Sequence, residues 1–406
     1  MLRNRNFQAL WIGRFIASLG KETAEVAYPL LTLAITGSAT YAGIIGAIQV
    51  VTASLTAVPG GILGDRLNRK RMLITCDLIR LVLLAGFGTL ILTVGVSVPV
   101  VLAVAMLSAA CLGLSNPVAL ALIKQLVPAE QVSSAAAQNQ IRFFSSTVIG
   151  PPLGGALFAV GRAFPFLAES LAYLISSTVT LMIRTSKRDE GSPQVSSRPR
   201  GWRGMGAGFR FMVRHPILRP MMMWITGFNM AFTHTGAFLA LIAVADSRGA
   251  SSSQIGFVIS LAGFSGLLGA FVSGVVVRRV RPSAVFLTAA WFAPLGALIL
   301  AVMPGTIGLG IVLGAVFALV PSVNALVFGY LGVAAPDELQ GRVMGAVAFL
   351  SLVAQPIGIF GVGIIFDTFG PSWVFIAMAL AASLAALPTL TRQMRRLPRP
   401  EQIAVP

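Results

Sequence analysis

Gly61-Ile62-Leu63-Gly64-Asp65-Arg66-Leu67-Asn68-Arg69-Lys70-Arg71 lies between two apolar runs that are each long enough to cross a bilayer. One carboxylate and four basic side chains crowd into seven residues of a chain that is only 11% charged. Hydrocarbon opposes a charged side chain by about 2.5–3.5 kcal/mol at the centre of a span, so charge packed between two uncharged runs marks a membrane surface.

Working outward from this loop, composition agrees: 56% of the residues are hydrophobic and the mean hydropathy is +0.85. In a soluble domain about a quarter of residues would be charged. Apolar runs at residues 7–35, 39–63, 72–93, 97–122, 134–160 and 164–184, then 217–245, 254–277, 284–303, 305–331, 341–366 and 371–391, predict twelve spans. At this length they must be helices, because strands would cross in about ten residues and a backbone in lipid must satisfy its own hydrogen bonds.

The net charge of +17 first raises the question of nucleic acid, and the placement of the basic residues answers it. With the N-terminus in the cytoplasm, 24 of the 30 Lys and Arg fall in inner segments, only Arg162 and Arg248 fall outside, and Arg14, Lys21, Arg80 and Arg142 fall inside spans. The positive-inside rule therefore predicts a multi-pass protein of the cytoplasmic membrane with both termini inside, and no nucleic-acid partner. A cleaved secretory signal is excluded for the first thirty residues, since Arg14, Lys21, Glu22 and Glu25 interrupt the apolar run and no small-residue cleavage site closes it.

The spans divide into two sets of six. Residues 185–216 form the one long polar stretch, which predicts a first bundle over 1–184, a cytoplasmic connector over 185–216 and a second bundle over 217–406. The halves echo each other: Pro128-Ala129-Glu130 against Pro336-Asp337-Glu338, Pro151 against Pro356, and Gly161 against Gly370. The echo of the opening loop is incomplete, because Val277-Arg278-Arg279-Val280-Arg281-Pro282 has no acidic residue. In the connector, Trp202, Met205, Phe209 and Met212 alternate at helical spacing with Arg203, Arg210 and Arg214, which predicts an amphipathic helix on the inner membrane surface.

The spacing Gly61-x-x-x-Asp65-Arg66-x-Asn68-Arg69-Lys70 resembles the cytoplasmic signature of the major facilitator superfamily of transporters. That resemblance implies an all-α membrane protein of twelve transmembrane helices in two parallel six-helix repeats, with substrate bound near the midplane between halves that rock. It also implies that the loop is a latch on the cytoplasmic face, closing against span 11 near Arg342. Asp65 would cap a neighbouring helix, and Arg66, Arg69 and Lys70 would meet carboxylates or lipid phosphates. The family usually has glycine at the place of Asn68, and asparagine tolerates the left-handed backbone of a tight turn.

Gly150-Pro151-Pro152-Leu153-Gly154-Gly155 in span 5 is similar to the core of the family's antiporter signature, although Ser146 stands where a glycine is expected. Two prolines remove amide donors and Gly150, Gly154 and Gly155 admit close packing, so this helix is suited to gating or, more plainly, to a small-residue packing face. Phe7-Gln8-Ala9-Leu10-Trp11-Ile12-Gly13, Ala39-Thr40-Tyr41-Ala42-Gly43 and Phe164-Pro165-Phe166-Leu167-Ala168-Glu169-Ser170 look like the branch of twelve-span exporters that includes macrolide and enterobactin efflux proteins.

Charges within spans normally face the bundle interior and are functional candidates. Arg14, Ser18, Lys21, Glu22, Glu25 and Pro29 fall along one face of span 1, which predicts a cavity lining. Glu22 is the preferred proton carrier, while Glu25 reads equally as a carrier or as the i, i+4 partner of Lys21. Arg142, beside Asn139 and Phe143 in span 5, can tune a nearby carboxylate. Asp77 and Arg80, three apart in span 3, are expected to pair beside the latch. Glu169 near the outer end of span 6, and Asn229 and His234 in span 7, read equally as packing hydrogen-bond partners or transport residues, the last two being candidates for the substrate cavity.

No Ser/His/Asp set, no metal-spaced histidines and no phosphate-binding Gly-x-x-x-x-Gly-Lys loop occur, so the sequence predicts no enzyme, no metal and no cofactor. Cys76 and Cys111 read as small packing residues. The expectation is a monomeric, proton-coupled exporter of a moderately hydrophobic small molecule, in contact with membrane lipid. An importer, a lipid flippase or a non-transporting receptor on the same scaffold are the alternatives.

Overall fold

The computed structural model describes residues 4–128, 131–183 and 203–399. Among them every regular element is helical: α1 Arg5–Thr36, α2 Ala39–Arg66, α3 Arg69–Thr93, α4 Val98–Leu126, α5 Val132–Val160, α6 Phe164–Leu181, α7 Arg203–Arg214, α8 Leu218–Ala231, α9 His234–Ser247, α10 Ser252–Arg279, α11 Pro282–Val302, α12 Thr306–Ala334, α13 Asp337–Phe369, α14 Pro371–Ala386 and the single turn α15 Arg392–Arg395. Ten segments of the described residues are long and apolar enough to cross a membrane, with α8 and α9 counted as one. Charged α1 and the 33-residue α13 bring the spans to twelve.

The chain forms two compact units, Met1–Ser196 with Arg248–Ser260, and Ser197–Ser247 with Leu261–Pro406. Of the connector expected over 185–216 only residues 203–216 are described, and their helix α7 groups with the second unit. Its Met212 is buried in that unit's core and its Gly208 faces the backbone carbonyl of Arg342 on α13, while Phe209 stays exposed. Part of the apolar stripe of α7 is spent on protein rather than on a membrane surface. Trp202, Ala129 and Glu130 lie outside the described residues.

In the first unit the core gathers Tyr28, Leu31, Ile45, Leu84, Phe87, Phe166 and Tyr173. Phe166 meets Tyr28 and Phe87 edge-on, with ring centroids 5.0 and 4.9 Å away. In the second unit the core gathers Trp224, Phe286, Leu326 and Tyr330, with Trp224 edge-on to Phe286 at 5.9 Å. Close helix pairs recur in both units. Gly60 of α2 backs onto Leu114 of α4 with no room for a side chain, and Gly269 of α10 backs onto the carbonyl of Ala318 on α12. Small residues at such contacts let helices approach in lipid, where dispersion and hydrogen bonds drive association.

Three local expectations are corrected. Span 7 is not one helix: α8 ends at Ala231 and α9 starts at His234, with Phe232 at φ −125°, ψ 35° between them. Gly358 of α13 presses against the carbonyl of Met230 just before this break. Asn68 is not left-handed: at φ −65°, ψ 112° it is the N-cap of α3, its Oδ1 accepting from the Arg71 amide at 3.0 Å. Capping is a favoured use of asparagine and needs no strained backbone. Finally, Gly161 and Gly370 match in sequence but not in conformation, because Gly370 has φ 91°, which favours glycine, whereas Gly161 is extended at φ 177°.

Candidate functional site

The buried charges of the first unit form two clusters. In one, Lys21 of α1 lies 3.1 Å from Glu22 Oε1 and 2.6 Å from Glu25 Oε2. A single ammonium thus bridges both candidate carboxylates, so Glu22 is as much an ion-pair partner as Glu25. Glu22 is only 5% exposed. Gly150 of α5 packs directly on Glu22, and Gly154 on the carbonyl of Thr23, both too closely for a side chain.

The other cluster draws on residues far apart in the chain. Arg80 of α3 reaches Glu169 of α6 at 2.9 Å and donates to Ser108 Oγ of α4 at 3.1 Å. Its guanidinium also lies 4.0 Å over the Tyr173 ring, and the Tyr173 hydroxyl donates to Glu169 at 3.2 Å. Asp77, one turn earlier on α3, takes Arg14 of α1 at 3.4 Å and Ser176 of α6 at 2.8 Å. Asp77 and Arg80 therefore do not pair with each other beside the latch; each reaches into the bundle for its own partner. Arg14, expected at a cavity wall, is buried and committed to Asp77. Two arginines and two carboxylates cancel, which is how a charge set survives burial.

Arg142 of α5 sits between the clusters. It donates to the Arg14 carbonyl at 3.0 Å, to Ser18 Oγ and, through Nε, to Asn139 Oδ1 at 3.0 Å. Phe143 beside it is 47% exposed and stands edge-on to Phe144. The Gly-Pro-Pro segment continues the helix rather than ending it, and its glycines serve two neighbours. Gly150 and Gly154 face α1, whereas Gly155 faces Ser252 and Gly256 faces Pro151 in the part of α10 that belongs to this unit. Ser260 of α10 donates to the Val148 carbonyl at 2.7 Å.

The latch loop is held mainly by its own helix ends. Asp65 pairs with Arg69 at 3.3 Å rather than capping another helix. Arg69 Nε donates to the Gly64 carbonyl at 3.0 Å, and Lys70 donates to the carbonyls of Leu181 and Ile183 at 2.8 and 2.7 Å. Lys70 thereby ties the loop to the end of α6, where the last carbonyls of a helix favour a cation. Arg66 is exposed, and Gly61 has open space around it.

In the second unit, Asn229 Nδ2 donates to the Ile225 carbonyl at 3.0 Å. His234, just past the helix break, stands 4.1 Å from the Phe238 ring and 6.5 Å from Phe317. Trp224, Phe228 and Phe232 stack down α8 towards the break, at 5.3 and 5.5 Å. Cys76 and Cys111 are unbridged, and no metal-holding group of His, Cys, Asp or Glu occurs among the described residues. Ser108, Tyr173 and Ser176 were not singled out in the sequence; hydroxyls in apolar spans gave no signal until their partners were in place.

A twelve-span helical membrane protein in two six-span sets, with ion pairs buried in its first half, is the architecture of a secondary transporter. The family model described as Major Facilitator Superfamily matches residues 10–359 and again 223–404, and the chain belongs to that family. It is a multi-pass membrane transporter and not an enzyme. Relatives include the protein named enterobactin exporter EntS of Shigella flexneri, 26% identical over 363 residues, which are 87% of this chain and 83% of that protein. The exporter of that name from Escherichia coli O1:K1 is 26% identical over 362 residues, with the same coverage. Among solved structures, a mutant form of the nucleoside transporter NupG aligns with a TM-score of 0.72 at 13% identity, over 94% of this chain and 98% of that one. A bacterial homologue of the iron transporter ferroportin gives 0.71 at 17%, with 94% and 98% covered. A D-xylose–proton symporter gives 0.70 at 15%, with 98% of each chain covered.

Proposed function

We propose that this transporter exports a moderately hydrophobic small molecule, such as an antibiotic, a siderophore or a lipophilic metabolite, in exchange for protons, by alternating access. It works in the cytoplasmic membrane with both termini inside. The observation that carries this reading is the Lys21–Glu22–Glu25 cluster on α1, in which Glu22 is buried and Gly150 of the antiporter-like segment lies against it. A carboxylate held by an ammonium in a dry bundle can take a proton when that ammonium moves away, and give it up when it returns. Gly150 and Gly154 leave α5 in direct contact with the α1 backbone, so any shift of α5 moves the carboxylate. Export rather than import is favoured by the 26% identity to proteins named as enterobactin exporters, and enterobactin is the first compound to test. One proton moving through 100 mV supplies about 2.3 kcal/mol, enough for roughly a fiftyfold gradient of a neutral solute.

Purified protein in liposomes with an imposed pH gradient, assayed with a panel of siderophores and antibiotics, tests the reading. Glu22→Gln is expected to abolish gradient-driven accumulation while leaving substrate binding intact. Unchanged accumulation in that variant would move the proton site to Glu25 or elsewhere. Flux running with the proton would make the chain an importer, and binding without flux would make it a receptor.

A further inference from the structure

The second repeat keeps the basic loop of the first but not its anion. In the first unit Asp65 neutralises Arg69 across the turn. At the matching turn between α10 and α11, Arg278, Arg279 and Arg281 are all exposed, and residues 247–336 contain no Asp or Glu at all. Among the described residues no carboxylate pairs with these three arginines. The nearby tail adds a further cation, because Arg399 donates to the Arg278 carbonyl at 3.1 Å. Beside this turn opens a cavity of about 380 Å³ between α10, α11 and α12, running from Val280 and Ala284 at the arginine end past Val276 and Thr288 to Leu268 and Val272. Its size lies in the range of pockets that hold small ligands, about 300–1,000 Å³.

We propose that this groove binds one anionic glycerophospholipid, with an acyl chain along α10–α12 and the phosphate on Arg278, Arg279 and Arg281. Charge selects the headgroup: clustered arginines at a membrane surface attract anionic lipid, and the guanidinium fork matches phosphate oxygens. The apolar lining selects a lipid over a free phosphate, since Thr288 and Ser322 bring the only side-chain hydroxyls to the walls. The lipid supplies to the second repeat the anion that Asp65 supplies to the first.

The test is native mass spectrometry of the full-length protein extracted from vesicles of phosphatidylcholine mixed with phosphatidylglycerol, counting retained lipids. The wild-type protein is expected to keep one phosphatidylglycerol in preference to phosphatidylcholine. Each arginine neutralised in the series R278Q, R279Q and R281Q lowers that preference about fivefold. Ala284→Trp fills the groove without changing charge and is expected to lose the bound lipid of either kind. Inorganic phosphate is expected not to displace the lipid. An undiminished preference in the triple variant, full retention in Ala284→Trp, or displacement by inorganic phosphate would each overturn the proposal. Thermal unfolding of every variant, matched to wild type, certifies that a loss is a loss of binding and not of fold.

Discussion

Replacing Glu169 with glutamine keeps the shape of the α3–α6 contact and removes its charge. Arg80 is then left with a 4%-exposed side chain, the Tyr173 ring at 4.0 Å, Ser108 at 3.1 Å, and Asp77, one turn away and already paired with Arg14, as the remaining anion of the cluster. Removing one partner of a buried ion pair costs about 3–5 kcal/mol, because the other charge stays desolvated. The amide oxygen still accepts one hydrogen bond from Arg80, which places the expected loss near the lower limit, about 3 kcal/mol. Even so it exceeds an ordinary interhelical hydrogen bond in a membrane protein, which averages about 0.6 kcal/mol. Removing both charges in Arg80→Met/Glu169→Leu gives the opposite expectation, because an apolar pair in place of a buried ion pair is often neutral or stabilising. The Tyr173 and Ser108 hydroxyls lose their partners in that variant, at about 1 kcal/mol each. The double variant should therefore fall within about 2 kcal/mol of wild type and above the single one. Reversible unfolding in mixed micelles, followed by tryptophan fluorescence, reads both. A Glu169→Gln loss below about 1 kcal/mol, or a double variant less stable than the single, would refute the claim that this pair is a closed, mutually dependent charge set.

Two further outcomes follow from geometry elsewhere. Gly154→Ala places a Cβ against the Thr23 carbonyl and should cost about 1–3 kcal/mol as overpacking, whereas Gly61→Ala enters open space and should be neutral or slightly stabilising; melting temperatures in detergent in the reverse order would contradict the packing described. His215, between α7 and α8, accepts the amides of Ile217 and Leu218 on Nδ1 at 3.3 Å each, and burial lowers its pKa. A lowered pKa means that the cap stabilises fully above the unfolded value of about 6.5 and weakens as pH falls through the folded value. Hydrogen exchange at the start of α8 should speed up on acidification in wild type but not in His215→Asn, and an equal acceleration in both would exclude the cap as its origin.

The spans were legible because each is a long run of apolar residues, and a run of that length in lipid has only one backbone solution. The turn around Asp65 could be placed between two spans because its charges are local, but the partner of Asp65 is Arg69 and not the neighbouring helix that the resemblance implied. What the sequence hid is what depends on distance along the chain. Asp77 and Arg80 look like partners at three residues apart, yet Arg14 joins Asp77 across 63 residues and Glu169 joins Arg80 across 89. Helical periodicity says which residues share a face but not which helix that face meets. The signal that was present is a balance: two arginines and two acids buried in three spans must cancel, and that constraint limits the pairings even without coordinates. The break between α8 and α9 left no mark, because Phe232-Thr233-His234 contains neither glycine nor proline.

The uneven placement of charge bears on how a duplicated fold acquires an ion-driven cycle. Both repeats use the same close packing of small residues between equivalent helices, Gly60 on Leu114 and Gly269 on Ala318, so shape does not require charge. The five ion pairs seen among the described residues lie in the first unit, and residues 261–336 of the second contain no Asp or Glu. Each buried charge also has a cost in lipid that packing glycines avoid. A buried ion pair is weak evidence for stability, so the clusters around Lys21 and Arg80 are the places where the Glu22→Gln and Glu169→Gln variants separate a transport role from a structural one.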